Sequence, residues 1–441
     1  MNLTARVLVV ARDDRLAGPL TEGLDKLGWR SVTARGPHAA LAALADLPIE
    51  AAIVDVSDGD ADLLNLAREL KAAAGVRRLP VLALGRPDPA LAEWSYDLAL
   101  APPVHPAQAA LRLESLLRAA VAEEEFELRR ATFADHGAVL TAPETSTEPL
   151  QVLTVGEPAP KFLALSHALK QQDAEVVGAL TAYTAFDYLH ERPFDAVVLW
   201  AGEHHAEALS IAGGMRRNTR LFHIPTVLYL RTGAEVALAD AYNRGLSDVA
   251  SADTPEEDTA GRIISLARAY RRETAIRAAL DRARGSGLMD AATGLFTREL
   301  FAAHLGRLAR ASRERRRTLS VAVLKIAERS STLPYRQGGW LDRAIPQIGS
   351  MIARLVRAED TAARLAPELF ALALPAANAG DARIAAERIA AVIACTAFEA
   401  GEGQAPFTVE FDIGVAEIEG DENAARTLER AAARTSARAA V

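Results

Sequence analysis

Short runs of valine, leucine, isoleucine and alanine recur through the first half of the chain. Between them lie longer segments whose apolar positions return every three or four residues. RVLVVA (6–11), RSVTA (30–34), AAIVDV (51–56), PVLALG (80–85) and LALA (98–101) have the length and branching of strands. GPLTEGLDKLG, HAALAALADL, ADLLNLARELKAAA and the stretch from Pro106 to about Arg130 have helical spacing. The plan then repeats with QVLTVG (151–156), AEVVGAL (174–180), FDAVVLW (194–200), IPTVLYLR (224–231) and SDVASA (247–252). First and third strands lie about 45 residues apart in both halves, which predicts a duplicated domain. Strands alternating with helices of this length predict parallel sheets with right-handed crossovers, in the doubly wound arrangement.

A third region follows, with strands expected near 319–326, 368–374 and 407–416 and helices between them. The reading divides the chain into a first domain at 1–130, a linker at 131–150 and a second domain at 151–272. A connecting helix and hinge at 273–287 lead to a third domain at 288–441. The linker ATFADHGAVLTAPETSTEPL is rich in Ala, Thr, Pro and Glu, and Gly285-Ser286-Gly287 is expected to end a helix that begins near Thr259.

Length and composition bound the function without naming it. At 441 residues, 50% hydrophobic and 24% charged, the chain suits about three globular domains. No apolar run approaches the roughly 20 residues of a spanning helix, and MNLTARVLVVARDD lacks the layout of a signal peptide, so a cytoplasmic protein is expected. A net charge of −8 offers no footprint for nucleic acid or an anionic membrane. Any anionic ligand must therefore be held by a local arginine cluster. The single cysteine, Cys395, excludes an internal disulfide, and within ERIAAVIACTAF it is expected to be a packed core thiol.

Both five-stranded halves resemble response-regulator receiver domains, which have the flavodoxin-like fold. That family holds Mg²⁺ with clustered carboxylates, phosphorylates an Asp after the third strand, and answers the phosphoryl group with Thr and Lys. Asp55 stands at the phosphoacceptor position of the first half. Ala11 and Arg12 replace the acidic pair, Asp13 and Asp14 follow two residues late, and Gly85 and Pro102 replace Thr and Lys. Asp55 is thus expected to be a relic at a strand end, with phosphorylation as the alternative, and Arg12 is a candidate partner for it. In the second half Gly156 and Glu157 take the acidic-pair positions and Trp200 replaces the phosphoacceptor. Tryptophan cannot accept a phosphoryl group and is expected to plug the former pocket. The surviving scaffolds are expected to dimerise or dock partners through the face made by the fourth and fifth helices and the fifth strand.

Asp290-Ala-Ala-Thr293-Gly294-Leu295-Phe-Thr-Arg298 resembles the opening motif of GGDEF domains, and the order receiver–receiver–GGDEF resembles the PleD class of regulators along the full chain. In the register this sets, Lys325 stands where cyclases carry a metal-binding Asp, and a cation there repels a divalent metal. The hairpin signature Gly-Gly-Asp/Glu-Glu-Phe reads Ala366-Pro367-Glu368-Leu369-Phe370. Ala366 adds a β-carbon, and Pro367 adds a ring and removes a donor, where glycines let the backbone approach a triphosphate. Glu328–Gly339 lacks the Asn-Asp pair that reads guanine, and TLERAAARTSARAAV lacks the phosphate-binding Lys. Four missing elements predict that GTP is not cyclised.

Arg357-Ala-Glu-Asp360 matches the family's RxxD site for cyclic di-GMP, and Arg388 falls where the family supplies a second arginine. A guanidinium can donate to guanine O6 and N7, a carboxylate can accept from N1–H and N2–H, and further arginine can meet the phosphates. The same spacing recurs by chance at Arg192–Asp195, and outside the family register Arg357–Asp360 would read as a surface ion pair. Arg354, Arg364 and Arg383 are expected to be solvated or structural, while Met215-Arg216-Arg217 is a further candidate contributor. The resemblance, strongest to degenerate receptors of the PopA type, implies a catalytically inactive GGDEF regulator that binds cyclic di-GMP through Arg357, Asp360 and Arg388 without cofactor or metal. It further implies a homodimer at a cell pole, recruiting proteolytic adaptors or localisation factors in cell-cycle control. A weak diguanylate cyclase and a phosphorelay scaffold acting through Asp55 stand as alternatives.

Overall fold

The structure, a computed structural model, describes residues 5–85, 91, 95–100, 104–143, 146–202, 205–218, 220–282, 288–330, 332–401 and 403–436. Its contacts fall into two compact units, one built from 3–120 and 145–275, the other from 1–2, 121–144 and 276–441.

The first unit contains two parallel sheets of identical winding. β1 (Arg6–Val10), β2 (Arg30–Ala34), β3 (Ile49–Asp55), β4 (Val81–Leu84) and β5 (Leu98–Leu100) are ordered β2-β1-β3-β4-β5. β6 (Leu150–Val155), β7 (Ala174–Ala179), β8 (Ala196–Ala201), β9 (Thr226–Leu230) and β10 (Asp248–Ser251) are ordered β7-β6-β8-β9-β10. These strands fall within two residues of the hydrophobic runs. Helices α1 (Asp14–Lys26), α2 (Pro37–Asp46), α3 (Ala61–Ala73) and α4 (Pro106–Asp135) serve the first sheet. Asp13 and Asp60 cap α1 and α3, their carboxylates accepting backbone N–H groups at 2.8 and 2.9 Å. Helices α5 (Pro160–Gln171), α6 (Ala182–Glu191), α7 (Ala206–Arg217), α8 (Leu238–Asn243) and α9 (Glu256–Arg282) serve the second.

The receiver face expected to meet other molecules is occupied within this unit. Gln108 of α4 donates to Asp248 of β10 at 2.5 Å, and Arg262 of α9 grips the same carboxylate with two bonds at 2.8 and 2.5 Å. Asp248 is 3% exposed, so its charge is answered where water cannot reach. The fifth strand of the second fold thus engages the last helix of the first.

In the second unit β11 (Leu319–Ile326), β12 (Thr361–Ala366), β13 (Leu369–Pro375) and β14 (Phe411–Glu417) form an antiparallel sheet ordered β12-β13-β11-β14. It lies between α10 (Arg298–Glu314) and α14 (Ala424–Ser436) on one face and α12 (Trp340–Leu355) and α13 (Ala379–Ala394) on the other. A short α11 (Leu333–Gln337) precedes α12. Alternation along β11 decides the layers: Ala322, Leu324 and Ile326 join the core with α12 and α13, while Val321 and Val323 join the core with α10. Residues 121–135 of α4 pack into this second core through Phe126 and Phe133.

Several expectations need correction. The linker expected at 131–150 begins as helix, because α4 runs to Asp135 with Phe133 fully buried. The strand expected at 407–416 starts at Phe411, since Phe407 instead forms an isolated bridge with Phe398. β12 was not expected as a separate strand; TAARLA is poor in branched residues. Cys395 is exposed: α13 buries Ala382, Ala386, Ile389 and Ile393, and Cys395 falls off that stripe at the C-cap. Gly285-Ser286-Gly287 and Pro102 lie outside the described residues. No helix among the described residues is long and apolar enough to cross a membrane.

Candidate functional site

The segment before α10 anchors the register of the second unit. Asp290 accepts from Thr293 N at 2.9 Å and Thr293 Oγ1 at 2.7 Å, and Gly294 takes φ +68° to complete the turn. A Cβ on Gly349 would sit 2.3 Å from Thr293 Cβ, so α12 must carry glycine there to approach this turn. Arg364 ties Asp290 at 3.5 Å to the Pro367 carbonyl at 3.2 Å, a structural role as expected.

The hairpin between β12 and β13 turns through Pro367 and Glu368. Neither has the positive φ that tight two-residue hairpins favour. The register shift between Arg364 and Ala366 supplies the extra residue that a proline-led turn needs. Charges around it are paired with one another. Arg336 of α11 forks onto Glu368, one bond measuring 2.9 Å. Lys325 lies 3.5 Å from Glu328, and Arg329 reaches Glu410 and Asp412 at 3.3 Å each. Tyr335 stacks on Phe407 with centroids 4.6 Å apart. Three cations of the chain thus pair with four carboxylates around the hairpin.

The second cluster lies at the C-terminal end of α12. Asp360 N donates to the Arg357 carbonyl at 3.2 Å, and Arg357 N donates to Asp360 Oδ2 at 3.1 Å, closing a compact turn. The Arg357 side chain is 39% exposed, with Nη1 3.9 Å from Glu359. Arg388 of α13 donates to the Leu355 carbonyl at 3.3 Å, where the negative end of α12 favours a cation. Arg357 and Arg388 therefore flank one helix terminus. Asp360 is instead 8% exposed, turned into the protein. Burial pushes its carboxyl up to about 7, with Glu359 adding to the rise, while Arg357 and Arg129 oppose it.

Beneath this turn is a buried network. Arg129 of α4 donates through Nη2 to the carbonyls of Asp360 at 2.9 Å and Ala358 at 3.3 Å and to Thr361 Oγ1 at 3.0 Å. Its Nε meets Glu125 Oε1 at 2.8 Å, which also receives Thr361 Oγ1 at 3.0 Å and lies 2.8 Å from His304 Nε2. Burial opposes ionisation of Glu125, but His304, Arg129 and the bonds from His304 and Thr361 outweigh it and hold its carboxyl below the usual range. None of these four residues was marked in the sequence; Glu125 and Arg129 look there like an ordinary i,i+4 surface pair.

Residues 287–439 match the family model described as the GGDEF domain of diguanylate cyclases. Both clusters lie within the residues this family model matches. Over nearly its whole length the chain is homologous to the response regulator PleD of Caulobacter vibrioides (strain NA1000 / CB15N). It is 23% identical over 431 residues, covering 95% of this chain and 93% of that protein. Solved structures similar to its GGDEF domain include that of FimX from Pseudomonas aeruginosa, 19% identical with TM-score 0.31, covering 34% of this chain and 92% of that one. Another is the GGDEF domain of DgcB from Caulobacter crescentus in complex with c-di-GMP, 24% identical with TM-score 0.33, covering 35% and 88%.

Elsewhere the expected residues are scattered. Asp55 ends β3 and accepts from Ser57 N at 3.1 Å and Ser57 Oγ at 2.6 Å. Arg12 pairs with Asp60, the cap of α3, and not with Asp55. Trp200 in β8 stacks on Phe162 at 5.4 Å and 19° and lies 5.4 Å from Tyr229. Gly156, at φ +136°, leaves room for it: a Cβ there would be 2.8 Å from Trp200 Cβ. Asp195 of the chance RxxD accepts from Gln151 N at 2.8 Å and pairs with Arg271.

Proposed function

We propose that the protein is a receptor for cyclic di-GMP that does not synthesise it, with Arg357 and Arg388 as its principal ligand contacts. The convergence of these two arginines on the end of α12, at the opposite end of β12 from a hairpin whose Glu368 is already paired, carries the reading. Guanidinium groups at a helix C-terminus can stack on and donate to a guanine, and can meet the phosphodiesters. Asp360 enters this reading in a changed role. Its side chain closes the turn that presents Arg357, and it can receive a base only if the turn opens.

At the hairpin, a cyclase would require Mg²⁺ to displace Arg336 from Glu368 and to bind beside Lys325. That arrangement supports a catalytically inactive domain. The arrangement at Asp55 gives a phosphorelay no support, because Ser57 takes its carboxylate and Arg12 is engaged with Asp60. We further propose, from the resemblance alone, an effector that works as a homodimer through protein partners such as proteolytic adaptors or polar localisation factors.

Isothermal titration of cyclic di-GMP tests the reading. Binding is expected in the wild type and its loss in Arg357→Ala. Equal affinity in both, absence of binding in the wild type, or cyclic dinucleotide formed from GTP and Mg²⁺ would each reject it.

A further inference from the structure

We infer that Arg129 is a positioning residue for the RxxD turn, so that α4 governs how Arg357 is presented. The ligand in this inference rests on the receptor reading above; the geometry does not. One guanidinium holds three acceptors at once: the carbonyls of Ala358 and Asp360 and the hydroxyl of Thr361. These are the middle, the end and the flank of the turn whose first residue is Arg357. Its side chain is only 8% exposed, and the Phe296 ring lies 5.6 Å from its guanidinium carbon. The direction of the fork is set by Glu125, itself fixed by Thr361 and by His304, which is fully buried and bonded to Thr132 of α4 at 3.0 Å. The turn's own hydrogen bonds, at 3.1 and 3.2 Å, close a four-residue loop and do not reach the helix beneath it. Arg129 supplies that anchor from 231 residues away in sequence.

Two consequences follow from the chemistry of the fork. Lysine can keep the charge opposite Glu125, but its single nitrogen cannot bond Glu125 as Nε does and reach the turn as Nη2 does at the same time. A ligand that prefers the anchored turn must also favour the seated helix, since linkage between two binding events is reciprocal.

The test uses the full chain and two variants. Arg129→Lys keeps the charge, and Thr361→Val removes one acceptor of Arg129 together with the hydroxyl that donates to Glu125, while the Glu125–Arg129 ion pair stays. Hydrogen exchange is followed at the amides of Arg357 and Asp360 and at those of β11 and β13, alongside titration with cyclic di-GMP. In Arg129→Lys the turn amides should exchange about tenfold faster and the ligand bind about tenfold more weakly, as expected for loss of one or two charged hydrogen bonds. The amides of β11 and β13 should be unchanged, and Thr361→Val should shift the turn in the same direction by less. Turn amides that exchange as in the wild type overturn the inference. So does a rise shared equally with β11 and β13, or a loosened turn with unaltered affinity. If the wild type binds no cyclic di-GMP, the receptor reading fails, and the exchange comparison alone still decides whether Arg129 holds the turn.

Discussion

Two ends of one small sheet treat charge in opposite ways. At the β12–β13 hairpin, Arg336, Arg329 and Lys325 pair with carboxylates that remain partly open to water. Under the RxxD turn, Glu125, Arg129 and His304 are almost wholly enclosed, with side chains 1%, 8% and 0% exposed. Pairs of the first kind contribute little to stability and rearrange readily. Pairs of the second kind cannot lose a member without stranding a charge in low dielectric. The contrast teaches that rigidity in this domain lies beneath the turn, while the hairpin edge carries solvent-open pairs that local side chains exchange among themselves.

The contrast should break most visibly at Glu125. Glu125→Ala leaves Arg129 buried without its counter-ion and should cost about 3–5 kcal/mol, read from urea denaturation. A loss below about 1 kcal/mol would place both ends of the sheet in the same class.

A smaller effect should appear with pH. The folded Asp360 carboxyl is raised to about 7 from an ordinary value of 3.8, so the folded state holds its proton more tightly than the unfolded chain. Its contribution is complete below about 4 and is lost as pH climbs through 7. The denaturation midpoint should therefore fall between pH 4.5 and 7.5 by more in the wild type than in Asp360→Asn. The amide keeps an oxygen for the Arg357 N–H but cannot ionise. Equal pH slopes would remove Asp360 from the buried set.

Least affected should be the hairpin. Arg336→Ala breaks a pair whose members are 24% and 27% exposed and should cost about 1 kcal/mol or less in the same denaturation. A larger loss would mean that the hairpin edge is itself a structural clamp.

What could be read from sequence follows from how locally each feature is encoded. The ten strands of the two parallel sheets were legible because VLVV, AIVD and AVVL are buried runs that little else in the chain imitates. β12 escaped because a strand of three alanines, one threonine, one arginine and one leucine carries no such signal. Lys325, Ala366, Pro367, Glu368, Leu369, Arg357 and Arg388 were assigned by register from Asp290-to-Arg298, and the fold sets the first five around the β12–β13 hairpin and both arginines at the end of α12. The inward turn of Asp360 could not, since it depends on what packs beneath the turn. Arg129 was invisible for the same reason: EEEFELRR reads as the polar end of a helix, and only the fold brings it to Asp360. Arg12 was misassigned because a long side chain at a strand end reaches several carboxylates, and the helix cap proved the nearer one.

The solvent-facing thiol of Cys395 has a practical corollary. It lies seven residues beyond Arg388 at the end of α13, close to two full turns, so both project from nearly the same side about 10 Å apart along the axis. As the sole sulfhydryl in 441 residues, it accepts one maleimide fluorophore with no prior mutagenesis. Emission from that dye would register events at Arg388 in the native polypeptide.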